Sequence, residues 1–319
     1  MRKIIKTLLG IGGAFCLIGA LLFSIGFTSG GTKYVHDTNL NSMNAQEDNK
    51  ESANRFTLKK TEIPDFTSLN INLEDSDLNI EESPNEKSYI EYAQATKDKK
   101  NPVSYSIENG TLTLKEAGNT GASYYINVDI SFLQAAFSSK NIEDYTKESS
   151  KYENYVTLYL PKDKLVSSAK IYLGYGDFYV KNATFDTTNI KLDDGDFDAN
   201  TLTANSGKLT FSYGDCDLQK ASLGNISLTS KDGDLTVNEL TLSGKTKIAL
   251  SYGDTEITLN DSTKKVSGFD LATHYGTITA SGLNGNKTVD EDDDVNTFQS
   301  DSKDGKTKLA IDSKDGDIT

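Results

Sequence analysis

Glycine–aspartate turns return through the second half of the sequence and are its first candidates for site chemistry. The turn glycines are Gly176, Gly195, Gly214, Gly233, Gly253, Gly276 and Gly316, and the aspartates that follow the first five are Asp177, Asp196, Asp215, Asp234 and Asp254. Carboxylates are hard oxygen ligands, so a stacked column of them could be bridged by Ca²⁺. The interpretation we favour is turn chemistry alone, because glycine supplies a positive φ and aspartate bonds nearby backbone amides.

Stacking would place these aspartates about 5 Å apart, where like charges repel. Solvent, backbone N–H groups, nearby lysines or bound cations could each relieve this repulsion. The residue before each turn glycine also follows a pattern: Tyr175, Asp194, Tyr213, Asp232, Tyr252, Tyr275 and Asp315. We take the tyrosines to shield the turn, and the alternative is a face that stacks on sugars or contacts a protein.

The elements that position these turns are pairs of short strands. Apolar doublets with their members two residues apart stand on both sides of each turn, as in Ile171/Leu173 before Gly176 and Phe178/Val180 after it. Both members of a doublet point to one side of a strand. A repeat of 19–20 residues predicts stacked coils, each too small to bury a core alone. The predicted fold is therefore all-β, a parallel β-solenoid preceded by one N-terminal transmembrane helix.

That helix is predicted over residues 1–27. Arg2, Lys3 and Lys6 precede an uncharged run from Thr7 to Phe27, which is long enough to cross about 30 Å of hydrocarbon. We favour an uncleaved anchor with a cytoplasmic N-terminus, and a cleaved signal peptide is the alternative. In both cases the rest of the chain is extracytoplasmic.

The remaining chain divides by texture into a stalk and a strand domain. Residues 28–55 are polar and without period, which is typical of a flexible stalk. Residues 56–319 form the strand-repeat domain, with N-terminal strands over 56–154 and regular coils over 155–319. An insertion near residues 132–153 and an acidic run at residues 290–294 interrupt the pattern, and we assign neither a role.

Composition argues against several function classes. Acidic residues number 47 against 33 basic ones, a net charge of −14, which repels nucleic acid. His274 is the one histidine after residue 55, and the chain lacks the common nucleophile, zinc and phosphate-loop motifs. We therefore predict no enzyme and assign no catalytic, cofactor-binding or metal-binding residue. Cys16 and Cys216 are the only cysteines and would lie on opposite sides of the membrane boundary, so no disulfide is expected.

Several segments resemble a known family. The opening "FTSLNINLEDSDLNI", the phrase "YSIENGTLTL", the restart "VTLYLP" and the rungs "SGKLTFSYGDCDL" and "LTSKDGDLTV" are similar to the adhesin-like β-strand-repeat proteins of Gram-positive bacterial surfaces, a family of unknown function. The resemblance covers most of residues 56–319. It implies a single-pass membrane protein that displays a β-solenoid on the cell surface, and it supplies no catalytic residues.

Three functions remain open on the sequence. The first, which we favour, is a non-catalytic adhesin or binding module for a cell-surface protein or an envelope polymer. The second is an accessory membrane protein in envelope stress sensing. The third, a polysaccharide-cleaving β-helix enzyme, would need a cationic groove that the net charge argues against.

Overall fold

The computed structural model of the protein describes residues 54–96, 100–117, 154–290 and 294–319. The strands are β1 (Asn54–Ile63), β2 (Ser68–Leu73), β3 (Asp77–Glu82), β4 (Ser88–Thr96), β5 (Val103–Glu108), β6 (Thr111–Glu116), β7 (Tyr155–Leu160), β8 (Leu165–Leu173), β9 (Phe178–Val180), β10 (Ala183–Leu192), β11 (Phe197–Tyr213), β12 (Cys216–Asp232), β13 (Leu235–Leu242), β14 (Lys245–Tyr252), β15 (Thr255–Leu259), β16 (Gly268–Tyr275), β17 (Asn286–Asp290), β18 (Val295–Ser300) and β19 (Lys308–Asp315). A short helix, α1, spans Asp261–Val266.

Some of the predicted segments lie outside the described residues. These are the membrane helix over residues 1–27, nearly all of the stalk, the insertion near residues 132–153 and the middle of the acidic run. Within the described ranges, no helix is both long and apolar enough to span a bilayer.

The strands that precede the turns form one face of a solenoid. They pair in parallel, in the order β2, β8, β10, β11, β12, β14, β19 and β16. Ile171 lies beside Ile190, and Ile190 beside Leu209, so one coil takes 19 residues here. The period of the sequence and the register of the strands therefore agree.

The strands that follow the turns form a second face. Their order is β7, β3, β9, β11, β12, β13 and β15, again in parallel. β11 and β12 are 17 residues long because each runs from one turn to the next and contributes to both faces. We call the Tyr213–Asp215 segment, and the equivalent residues of the other coils, the corner.

The core is a set of apolar columns inside the coils. The doublets read from the sequence are buried, apart from the half-buried Ile257. Phe178 stacks on Phe197 of the next coil, with ring centroids 5.0 Å apart, and Phe197 also contacts Phe211 of the other face at 5.6 Å. A buried side chain of this size contributes about 1.5–3 kcal/mol to stability, so the columns are the main apolar support of the stack.

The order of the last coils differs from the expected stacking of successive coils. β19, the last strand of the sequence, lies between β14 and β16 instead of beyond β16. The reason is that β18 folds back antiparallel along one edge of β16, which leaves the other edge of β16 to pair with β19. The gap of 40 residues between the last two turn glycines thus holds the antiparallel strands β17 and β18 rather than a coil.

Antiparallel strands cover the stack at both ends. β5 pairs with β6 beside β2, β1 and β4 lie beside β7, and β17 and β18 lie beside β16. An open parallel edge would present unpaired backbone groups to other chains, and terminal caps of this kind limit that exposure. α1 lies beside the end of β13, where Thr263 Oγ1 accepts a hydrogen bond from the N–H of Leu242 (3.1 Å).

Candidate functional site

A continuous ladder of hydrogen bonds joins the corner aspartates. Each coil contributes one rung to this ladder: the backbone N–H of its corner aspartate donates to Oδ1 of the corner aspartate in the preceding coil. The predicted column contains Asp196 to Asp177 (2.9 Å), Asp215 to Asp196 (2.8 Å), Asp234 to Asp215 (2.8 Å) and Asp254 to Asp234 (2.8 Å). The predicted in-register column is therefore present, and its carboxylates accept charge-assisted bonds from the neighbouring backbone.

The ladder extends beyond the five aspartates read from the sequence. At one end the N–H of Asp177 donates to Asp77 (2.9 Å). At the other end Asp317 donates to Asp254 (2.8 Å) and Thr277 donates to Asp317 (2.7 Å). Asp317 belongs to the displaced β19 coil, so the unusual strand order keeps the ladder unbroken.

The corner glycines are required by the closeness of stacked rungs. A Cβ on Gly195 would lie 2.4 Å from the carbonyl oxygen of Gly176, and one on Gly233 would lie 2.0 Å from that of Gly214. Gly233 also has a φ of +131°, which side chains rarely adopt. Packing between rungs therefore excludes any side chain here, in addition to the backbone conformation.

Glu116 binds the backbone of the first corner, which residues 74–76 form. Its Oε2 accepts hydrogen bonds from the N–H groups of Glu74 (2.9 Å), Asp75 (3.0 Å) and Ser76 (3.2 Å), and Gln94 Nε2 donates to its Oε1. Burial raises the pKa of the Glu116 carboxyl, and the backbone donors act against that rise. No further coil of the described chain stacks below this corner, and the Glu116 side chain satisfies three of its backbone donors instead.

The residues just before the corner glycines form an exposed row that we call the corner stripe. In spatial order its members are Tyr175, Asp194, Tyr213, Asp232, Tyr252, Asp315 and Tyr275. The half-buried Asp75, which precedes Ser76, occupies the equivalent position one rung before Tyr175. The sequence shows two consecutive tyrosines at the end of this pattern. Because β19 lies between β14 and β16, the alternation of tyrosine and aspartate is complete in space.

A second acidic group lies on the face after the corner. Asp198 and Asp217 are paired directly across β11 and β12. Burial raises the pKa of Asp198, and the charges of Asp217 and of the nearby ladder aspartates raise it further. These carboxylates repel one another without a cation partner of their own in the described contacts.

The Asp198→Asn substitution is expected to raise the free energy of unfolding at neutral pH by about 0.5 kcal/mol. A carboxyl whose pKa is raised on folding stabilises the fold fully only below its unfolded pKa, and this contribution is lost as pH rises through the folded pKa. The gain should therefore vanish near pH 3 and be complete at pH 7. Urea unfolding across this range measures it, with Asp163→Asn as the control in a surface turn. A gain that is equal at both pH values would contradict the explanation.

The other reactive groups in the described residues do not converge. His274 Nε2 lies 3.8 Å from Asp312 Oδ1 on the surface, and Cys216 is buried in the core, where burial raises the pKa of its thiol. No group of three or more histidine, cysteine, aspartate or glutamate side chains in the described ranges is arranged to hold a metal ion.

An apolar cavity of about 200 Å³ lies under α1. Its walls include Leu259, Phe269, Leu309 and Ile318, all of which also belong to the core columns. It is smaller than the usual binding cavity of about 300–1,000 Å³. We interpret it as a packing gap in the core of the last coils and assign it no ligand.

The family resemblance of the repeated segments can be compared with known protein families. The model of the family Toastrack DUF4097 matches residues 66–319. The chain belongs to this family. The sequence resemblance is thereby confirmed at the level of the family, and the Toastrack match includes every rung of the aspartate ladder.

Solved structures with a similar chain path include three bacterial proteins. A candidate cell adhesion protein from Clostridium sporogenes has 13% identity and a TM-score of 0.36, with 84% of this chain and 98% of that chain covered. A candidate adhesin from Bacteroides fragilis has 12% identity and a TM-score of 0.38, covering 84% and 97%. A candidate lipid-binding protein from Parabacteroides distasonis has 10% identity and a TM-score of 0.32, covering 84% and 98%. The search of curated proteins gives no match.

One cluster of the Toastrack domain was missed in the sequence. Tyr155 and Tyr159 donate hydrogen bonds to the Glu91 carboxylate (3.3 and 3.2 Å), and Lys60 Nζ lies 3.3 Å from the Tyr159 ring centroid. Burial, together with Glu91, raises the pKa of Tyr159 to about 12. These side chains come from β1, β4 and β7, and only the antiparallel pairing of the three strands brings them together. The cluster ties the cap to the first coil.

Proposed function

We propose that this chain is a membrane-anchored, extracytoplasmic binding module without catalytic activity. The Thr7–Phe27 run holds it in the membrane with its N-terminus in the cytoplasm, and the solenoid is displayed outside the cell. The observation that carries the proposal is the corner stripe, an ordered and exposed row on a rigid scaffold. Rigid, repeated surfaces of this kind suit recognition of an extended partner.

The partner is a cell-surface protein or an envelope polymer. The net charge of −14 argues against nucleic acid and against strongly anionic polymers. The aspartate ladder binds its own backbone, and no described group unites a nucleophile, a base and an oxyanion donor, so nothing favours a reaction over binding.

Protease treatment of intact cells tests the display. With epitope tags at both ends of the full chain, external protease should remove the C-terminal tag and leave the N-terminal tag protected. A chain that lacks residues 1–27 is the matched control and should keep both tags. Isolated cell envelopes should then retain the purified full chain. Protection of the C-terminal tag in the full chain, or absence of envelope binding, would refute the proposal.

We expect calcium to give no specific stabilisation. The corner carboxylates already accept backbone hydrogen bonds, and a ligand present at a hundred times its dissociation constant would add about 2.7 kcal/mol, which is easily seen. Thermal unfolding with excess Ca²⁺ and then with chelator, at fixed ionic strength, measures the effect. A calcium-specific rise in Tm that Asp215→Asn abolishes would show that the ladder binds the cation.

A further inference from the structure

We propose that the corner stripe binds an extended, uncharged or amino-sugar β-1,4-linked glycan that runs along the stack of coils. This inference rests on the proposed binding function and names the ligand class for the same surface.

The tyrosines of the stripe are exposed, and the shape of the corner does not require them. Tyr275, Tyr175, Tyr252 and Tyr213 are 67, 60, 60 and 57% exposed, and they are the four most exposed large apolar residues in the described ranges. Aspartate occupies the same backbone position in every intervening rung, so the corner geometry does not select tyrosine. Separating like charges would need only an uncharged residue. Four aromatic rings at these positions therefore indicate a surface that binds.

The spacing of the stripe fits a sugar polymer. Neighbouring rungs are about 4.8 Å apart, so successive tyrosines are about 10 Å apart. One rung is close to the length of one pyranose unit in an extended glycan. In a β-1,4-linked chain alternate sugars are turned over, so the same face returns at every second unit. The repeat of two sugars thus matches the repeat of two rungs.

The alternation of side chains gives each sugar a suitable contact. A tyrosine ring offers an apolar face to the C–H surface of one sugar. The aspartate of the next rung offers a carboxylate that accepts hydrogen bonds from the hydroxyl, amide or amino groups of the following sugar. The same carboxylates and the net charge of −14 disfavour uronic acids and phosphate polymers.

In one column of the outer surface, three of the four tyrosine rungs carry a lysine, and the Tyr275 rung carries Asp270. Lys170, Lys208 and Lys247 each lie five positions before a stripe tyrosine, and they alternate with Asn189 and Ser227 in the same column. Over these five rungs the second column therefore repeats every two coils, as the stripe does. A partner with a matching two-unit repeat is favoured over a compact protein surface.

Affinity for β-1,4-linked N-acetylglucosamine oligomers tests the inference. The full chain is purified in a detergent without a sugar headgroup and titrated calorimetrically with oligomers from dimer to heptamer. Affinity should rise with length up to the heptamer, since Tyr175 and Tyr275 lie six rungs apart. The double variant Tyr213→Ser/Tyr252→Ser should bind the heptamer about tenfold more weakly or worse. Tyr105→Ser, an exposed tyrosine on β5, is the matched control and should bind like the parent.

Three results would overturn the inference. These are absence of binding to every oligomer, affinity that stops rising at the dimer, and equal losses in the double variant and the control. Sedimentation of the same samples can give a fourth such result. If the chain self-associates through Tyr213 and Tyr252 and binds no glycan, the stripe is a contact between copies of the chain. If cell envelopes retain the parent and the double variant equally, the binding function stands and the glycan assignment falls. If envelopes retain neither, both fall.

Discussion

A chain that ends at Ser302 is expected to lose the folded structure of its last coils. The deletion removes β19, which lies between β14 and β16 and pairs with both. Two strands then lose their parallel partner at once. The ladder also breaks, because Asp254 loses its donor Asp317 and Thr277 loses its acceptor.

The energetic loss is large on the scale of a whole protein. Leu309, Ile311 and Ile318 are at most 3% exposed, and each contributes about 1.5–3 kcal/mol by burial. Their sum is comparable to the lower part of the total stability of a domain, about 5–15 kcal/mol. Apolar side chains of β14 and β16 become exposed as well, which adds to the loss and favours aggregation.

Guanidinium unfolding followed by circular dichroism measures this effect. The truncated chain should show a lower midpoint and a smaller denaturant slope, because less surface is buried in its folded state. Val289→Ser on β17, at the exposed edge of the cap, is the control and should change stability by less than about 0.5 kcal/mol. An unchanged midpoint in the truncated chain would mean that β19 is not an interior strand.

The sequence predicts the coils and their core, but it does not predict the order of the last coils. Apolar doublets two residues apart identify the core columns, and turn glycines identify the corner. The doublets Phe269/Leu271 and Leu309/Ile311 fit the next position after β14 equally well, so local pattern cannot order them. The discriminating signal was in the stripe: Tyr252 and Tyr275 in succession break the alternation, and Asp315 between them restores it.

The candidate site was predictable in part for the same reason. The aspartate column follows from the period, because identical coils place equivalent residues in line. Glu116 and Gln94 could not be found this way, since neither belongs to the repeat. Glu116 reaches the first corner through the pairing of β6 with β2, and Gln94 lies on β4, which pairs with β1 and β7. Non-repeated caps depend on contacts between distant strands, and these leave little trace in a single sequence.

Gly233→Ala is expected to destabilise the stack strongly. The added methyl would lie 2.0 Å from the Gly214 carbonyl oxygen, well inside contact distance, at a φ of +131°. The two rungs would have to move apart to remove this clash. That movement would strain the hydrogen bond from the Asp234 N–H to Asp215 and the parallel pairing of β12 with β13. Strain of this kind together with the loss of bonds corresponds to about 4 kcal/mol or more, at the upper end for single substitutions.

Gly282→Ala separates packing from backbone conformation. Gly282 also has a positive φ, +73°, but a Cβ there would meet nothing within 4 Å. This control should therefore lose only about 1 kcal/mol, the ordinary cost of a left-handed conformation for alanine. Equilibrium unfolding of both variants gives the comparison. Equal losses would mean that φ alone selects glycine at the corner, whereas a loss several-fold larger for Gly233→Ala means that the contact between rungs selects it. In the second case the stacking of coils explains the glycine of each repeat, and it places no such restriction on the solvent-facing position before the glycine.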